Sequence, residues 1–552
     1  MGRALLENPS LLFLVVFIPI ILTLNSLSRL SAVALRQIIV LCAGFCIASY
    51  IFLGIVNIFR PGAIWHDEPN ILSVTAMYIH GHPIFHALAD SDLYSQLYGP
   101  ATTLVYAPFL EIFPRPLAAL HVCVLVVNLA ALLVLFFILR SYLSPVGALA
   151  FLPLAIAFLL CSPPHVFGIR MDPWMLLCVA LSTFCAQWRN WAVAALTSGV
   201  FGGLAVDFKF TVVPVICLSL VILYRKHGLF AAVVSMSTGV VSVLAIFLLP
   251  RISLSNHLGW LLLATHQQHI VREAFLDVLN QTTLLILPCI LIVLFALPPA
   301  RRRSLGFILP VLCGFAFASC FVSGAKDGAG GWHVWPMLPA VLLWTAYESS
   351  IRGIDGQTGS NGPANGSLMA ESDSTRTVRI ATAITLAATL LTARYDYRDF
   401  KIVRPVGEAQ QRADERAAED AIDALVHNEA FSGRSLVMGY GANAVDYRTN
   451  LRFMLPQRGQ GYFFDENSIV EITKERRPMP TGVVQRILGC RDVWLIPHGD
   501  APFSTARTML LPTTDSPFLF PDSIRLHFTD SHTLLQRGEI YDLWSCPSTK
   551  MP

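Results

Sequence analysis

Trp65-His66-Asp67-Glu68-Pro69-Asn70 stands a few residues beyond the apolar run of residues 33 to 58, and its reading decides the fold. A run of that length crosses a hydrocarbon core of about 30 Å as a helix. Ionisable side chains are costly at that depth, so an acidic pair at the exit of such a segment points to a helical membrane protein with chemistry at the membrane surface.

Composition agrees with that reading. The 552 residues are 54% hydrophobic and only 14% charged, with a mean hydropathy of +0.58, which excludes an ordinary soluble enzyme. A formal net charge of +3 gives no footprint for nucleic acid. Apolar segments recur at 11 to 27, 33 to 58, 116 to 139, 145 to 161, 173 to 188, 191 to 206, 211 to 224, 228 to 250, 283 to 300, 304 to 322, 334 to 349 and 378 to 393. They predict a polytopic α-helical protein of about 11 to 12 spans.

The positive charges give the orientation. Arg29 and Arg36, Arg140, Arg189, Arg225-Lys226, Arg301-Arg302-Arg303, and Arg376 with Arg379 mark alternate connections as cytoplasmic. The outer, extracytoplasmic connections are then 59 to 115, 162 to 172, 207 to 210, 251 to 282 and 323 to 333, together with everything after about 394. Glu7 and the lack of a small-residue cleavage site before Arg29 make the first segment a span rather than a removed signal. The style of the loops points to a bacterial inner membrane.

Two domains are expected, a membrane domain over 1 to 393 and an extracytoplasmic α/β domain over 394 to 552. Residues 351 to 377, rich in Gly, Ser, Asn and Thr, predict a flexible cytoplasmic linker. In the tail, 406 to 429 predicts an exposed amphipathic helix, and stretches at 435 to 440, 492 to 496 and 534 to 544 predict short strands. Ten of the 12 cysteines lie in or beside apolar stretches, where thiols act as small hydrophobes. Cys490 and Cys546 stand in the polar tail, as a disulfide or as two free thiols.

The loop after the second span carries the candidate chemistry. Asp67 or Glu68 can serve as a general base toward an acceptor hydroxyl or amine, its neighbour orienting it. Either residue equally suits the first turn of a helix entered at Pro69. Ile71 to Ile79 is too short to span and predicts a helix lying in the interface.

Further motifs share the outer side: Leu97-Tyr98-Gly99-Pro100, Arg170-Met-Asp172-Pro-Trp, Gly203-Leu-Ala-Val-Asp-Phe-Lys209, and Gly324-Ala-Lys326-Asp-Gly-Ala-Gly-Gly-Trp-His333. In this order the motifs resemble the membrane glycosyltransferases of the GT-C class. The protein O-mannosyltransferase and aminoarabinose transferase branch is the nearest in style, over residues 33 to 350. The resemblance implies a sugar donor linked to a polyprenyl phosphate, with the acidic residue of the first outer loop as catalytic base. The chain departs from that pattern in Asp207-Phe-Lys209, where a Thr-Lys pair is common, and in an added N-terminal span.

The chemistry implied needs an acceptor to be deprotonated and a departing phosphate to be neutralised, and no metal or other cofactor is required in principle. Asp67 and Glu68 are the catalytic candidates. Arg170, Lys209 and Lys326 are cations for the phosphate, with Asp172 and Asp207 as carboxylates able to hold them. His66, Tyr98, His266, His269 and His333 are further substrate contacts, the spacing of His266 and His269 placing both on one helix face. In the tail, Asp465-Glu466 and Tyr462 read as ordinary fold residues or the lining of an acceptor cleft. The expected partners are a polyprenyl-phosphate sugar, a glycan, lipid or protein acceptor, and membrane lipids. The alternatives are a transporter or flippase for an envelope precursor, and a non-catalytic assembly subunit. The near absence of charge within the spans speaks against a transport path.

Overall fold

In a computed structural model of the chain, the structure describes residues 9–26, 31–60, 62–64, 67–95, 97–113, 115–266, 270–295, 308–326, 329–354, 367–402, 405–441, 446–475, 477–503 and 518–547. Each apolar segment is a helix: Pro9–Ser26, Ala32–Ile58, Pro116–Arg140, Pro145–Leu159, Met171–Cys185, Trp191–Phe208, Val213–His227, Leu229–Ile246, Arg272–Phe295, Ile308–Gly324, Leu338–Ile354 and Ser367–Ile402. Among the described residues, 6 of them are long and apolar enough to cross a membrane by those criteria alone. Ser10–Thr23, Pro145–Leu159 and Met171–Cys185 are apolar but shorter.

The outside of the bundle is apolar. Leu41, Val126, Leu133, Val200 and Val241 are exposed, a surface suited to lipid rather than water. Between helices, packing is close where side chains are small. A Cβ on Gly199 or Gly203 would stand 2.4 Å from the backbone oxygen of Ser235 or Gly239, respectively, on helix Leu229–Ile246.

Residues 59 to 115 are folded rather than splayed on the membrane. Helix Asp67–Ile79 is buried continuously from Asp67 to Met77, which corrects the expectation of an interfacial helix. The reason lies in what covers it: Ile71, Leu72 and Ala76 share one apolar cluster with Tyr106 and Leu110 and with Phe431, Leu436, Met454 and Leu495 of the tail. A second loop helix, Ala101–Ile112, follows it.

The expected linker also differs. Helix Leu338–Ile354 extends into it and helix Ser367–Ile402 begins within it, while 355–366 lie outside the described residues. The same helix runs through residue 394, the expected domain boundary, to Ile402.

The tail opens with helix Pro405–Val426 and builds a sheet from β1 (Ser435–Met438), β2 (Asp492–Pro497), β3 (Thr533–Gln536) and β4 (Tyr541–Ser545). The strand order is β1-β2-β4-β3. β1 and β2 are parallel, with Val437 opposite Trp494, and β4 is antiparallel to β2 and β3. The stretch over 534 to 544, expected to be strand, is a hairpin of β3 and β4. Every residue of β2 is buried, and its alternating side chains enter two clusters, Val493 and Leu495 on one face and Trp494 and Ile496 on the other. Cys490 and Cys546 are joined as a disulfide.

Candidate active site

The acidic pair opens helix Asp67–Ile79, where carboxylates meet the positive end of the helix dipole. Successive helical residues point about 100° apart, and the two side chains diverge accordingly. Asp67 lines a cavity of about 870 Å³. Glu68 turns inward and is 0% exposed; its Oε2 accepts from the Ile64 N–H at 3.0 Å and its Oε1 from the Ile169 N–H at 2.9 Å. His121 Nε2 stands 3.4 Å from Oε2 without hydrogen-bond geometry. Glu68 therefore ties the loop to the bundle and does not reach the cavity, so the geometry separates the catalytic pair into one candidate base and one structural carboxylate.

A chain of alternating charges runs from Asp67 into the protein. Arg170 Nη1 donates to Asp67 Oδ2 at 2.5 Å, and Arg170 Nε donates to Asp172 Oδ2 at 3.0 Å. Lys209 Nζ donates to Asp172 Oδ1, also at 3.0 Å. Arg170, Asp172 and Lys209 are all buried; charges taken from water in this way persist because each is paired and hydrogen-bonded. For Arg170, burial works against the charge, but Asp67, Tyr98 and Asp172 outweigh it and hold the guanidinium above its ordinary range. Burial pulls the Lys209 ammonium below the usual lysine value, with Asp172 opposing that pull.

Asp207 departs from expectation. Its Oδ2 accepts from the Ala101 N–H at 2.7 Å, so it caps helix Ala101–Ile112, whose own N-cap position, Pro100, supplies no side-chain hydrogen bond. The Tyr98-Gly99-Pro100 motif now has a physical reason, because a Cβ on Gly99 would stand 1.4 Å from the Asp207 backbone oxygen. That contact delivers Tyr98, whose hydroxyl lies 3.5 Å from Arg170 Nη2.

The late Gly-rich segment forms another wall. Ile270 and Lys326 pair as an antiparallel bridge, and the Gly331 N–H donates to Asp277 Oδ2 at 2.6 Å. Trp332 stacks on His165 with ring centroids 3.6 Å apart, and the Arg170 guanidinium sits 5.8 Å from the Trp332 ring centre. Lys326, Trp332 and His333 line the cavity together with Asp67, Tyr98, Arg170 and Lys209. Among the described residues, Lys326 makes no ion pair. Phe210, Val243, Phe247, Leu254 and Leu258 add apolar side chains to the lining.

His266 does not line the cavity; it is largely exposed and its Nδ1 lies 3.0 Å from Glu475 Oε2. His66 and His269 lie outside the described residues. Among the described residues, no group of three or more His, Cys, Asp and Glu side chains is arranged to hold a metal ion.

Sequence reasoning missed the tail's contribution. Helix Glu466–Lys474 presents Asn467, Val470 and Glu471 to the cavity, at the spacing that shares one helix face. Asn467 Nδ2 donates to Asp67 Oδ1 at 3.1 Å. Asp465, read from sequence as a fold residue or cleft lining, caps this helix through the Ser468 N–H and also accepts from the Ser95 N–H at 2.9 Å. Burial pushes its carboxyl up to about 6. No local signal in sequence links residue 467 to residue 67. Glu273 and Asp277, two acids at the head of a largely apolar helix, also line the cavity and are a signal the sequence carries.

No protein-family model matches the sequence, and neither does any curated protein. The fold does have solved counterparts. ArnT from Cupriavidus metallidurans bound to undecaprenyl phosphate aligns with a TM-score of 0.50 at 13% identity, covering 93% of this chain and 99% of that one. The apo state of ArnT from the same organism aligns with a TM-score of 0.50 at 12% identity, covering 91% and 97%.

Proposed function

We propose that this chain, which has the fold of GT-C membrane glycosyltransferases, transfers a sugar from a polyprenyl-phosphate donor to an acceptor at the outer face of the membrane. The observation that carries the reading is a cavity whose lining combines a carboxylate, Asp67, and three cations, Arg170, Lys209 and Lys326, with apolar side chains. An isoprenoid phosphate sugar likewise combines an anionic and hydroxylated part with an apolar chain. The solved counterpart carrying undecaprenyl phosphate supports a donor of that class.

In this reaction an acceptor hydroxyl or amine attacks the anomeric carbon while its proton passes to Asp67. The bond from that carbon to the phosphate oxygen breaks with inversion, and the electron pair leaves on the phosphate. The Arg170 pairing keeps Asp67 ionised and therefore able to accept the proton. Lys326, whose charge no carboxylate neutralises among the described residues, faces the departing phosphate. Lys209 and Arg170 add field from positions fixed by Asp172. Tyr98, Trp332 and His333 are placed to contact the sugar. No cofactor enters this scheme.

The tail sits on the outer side, and the Cys490–Cys546 disulfide supports an oxidising compartment there. A bacterial inner membrane is the proposed location. Mass spectrometry of lipids retained by the purified protein, paired with transfer assays in proteoliposomes using each retained lipid as donor, tests the reading. Retention and turnover of a prenyl-phosphate sugar is the expected result. Exclusive retention of ordinary phospholipids, with no turnover of any prenyl-phosphate sugar, would overturn it.

A further inference from the structure

We infer that Asn467, supplied by the C-terminal domain, is a positioning residue for Asp67, so that the tail completes the site. This rests on the reading of Asp67 as a base. Asp67 is gripped at both oxygens, by Arg170 at Oδ2 and by Asn467 Nδ2 at Oδ1. One donor leaves a carboxylate free to swing about its Cβ–Cγ bond, whereas donors on both oxygens fix its plane and thus the direction in which the remaining lone pair meets an incoming proton.

The tail is built to hold Asn467 in that place. Two residues earlier, the buried Asp465 caps the helix carrying Asn467 and binds the Ser95 backbone of the loop. One turn along the loop helix from Asp67, Asn70 Oδ1 accepts from Arg452 Nη2 at 2.5 Å and from Nε at 3.1 Å. Arg452 is buried. Leu93 and Phe464 pair as a parallel bridge beside these contacts. These polar ties join the tail to the segment bearing the base, and the Asn467 tie reaches the base itself.

A donor on the ionised form of a carboxylate favours that form. Removing Asn467 therefore raises the pH at which Asp67 loses its proton. The other charged and titratable groups around Asp67 are Arg170, which pairs with it, and Asp172 behind Arg170, then Tyr98, Asp207, Lys209, His257, Glu273, Asp277, Lys326, His333 and Glu471 in the lining of the same cavity, and Glu68 beside it on the same helix. All of these remain in place when residue 467 is changed.

The test is the pH dependence of dicyclohexylcarbodiimide modification of Asp67 in the intact protein, mapped by mass spectrometry, because the reagent attacks the protonated carboxyl. In Asn467→Ala the pH of half-modification should rise by about one unit, and in the isosteric Asn467→Asp it should rise further through like-charge repulsion. Asp530→Asn, on the exposed surface of the tail, should leave it unchanged. The acidic limb of the kcat/KM profile for sugar transfer should move in step. An unmoved half-modification pH in both Asn467 variants overturns the positioning role even if transfer persists. A raised half-modification pH without transfer from any prenyl-phosphate sugar keeps the positioning role and removes the proposed function.

Discussion

Arg170 Nη1 reaches Asp67 Oδ2 at 2.5 Å across 103 residues of sequence, and the same guanidinium reaches Asp172 through Nε. A single buried cation therefore serves two carboxylates, one facing the cavity and one behind it. That division gives each member of the network a different expected response to substitution.

Asp172 lies between Arg170 and Lys209 and is 0% exposed. Asp172→Asn leaves two buried cations side by side with one carboxylate fewer. The expected cost is about 3–5 kcal/mol, read as a lower unfolding midpoint in detergent. A variant as stable as the parent would show that the network carries little of the fold.

Glu68 binds two backbone N–H groups and does not face the cavity. In Glu68→Gln the amide offers one oxygen for two donors, so a loss of about 1–3 kcal/mol in stability is expected. Turnover per folded molecule should change little. A collapse of kcat with stability intact would return Glu68 to the catalytic pair.

Gly99 has no room for a side chain against the Asp207 carbonyl. Gly99→Ala must push apart the loop and the end of helix Trp191–Phe208, at a cost of about 3 kcal/mol or more, the upper part of the range for overpacking. The displaced Tyr98 should lower activity in the molecules that still fold, which a thermal melt and a transfer assay on the same sample would reveal.

Lys326 differs from Arg170 and Lys209, the paired cations of the cavity, in making no ion pair among the described residues. Lys326→Ala should lower kcat by about 100-fold with little change in the unfolding midpoint, since no ion pair is lost among the described residues. Equal losses in stability and activity would point to a structural role instead.

The long apolar runs made the helices legible, because their length and hydropathy are properties of contiguous sequence. The site was legible in part for the same reason: Asp67, Arg170, Lys209 and Lys326 each stand at the end of an apolar run, and the alternation of spans brings those ends to one side. Asp207 was misread because a carboxylate near a lysine suggests an ion pair, whereas its real partner is the Ala101 N–H over a hundred residues earlier. Helix Asp67–Ile79 was placed at the lipid interface because its amphipathic character does not say whether lipid or protein will cover the apolar face. The tail covers it here. Asn467 was invisible for a related reason: a lone amide carries no signal until the fold sets it 3.1 Å from a carboxylate.

Sugar transfer by the Asp67→Asn variant in proteoliposomes, with a polyprenyl-phosphate sugar as donor, tests the central claim most directly. The substitution keeps the shape of the side chain and removes its ability to take a proton, so kcat should fall by about 100-fold or more, while the protein still inserts, folds and retains the donor lipid. Parental turnover in that variant, in protein shown to be folded, would contradict the assignment of Asp67 as the base.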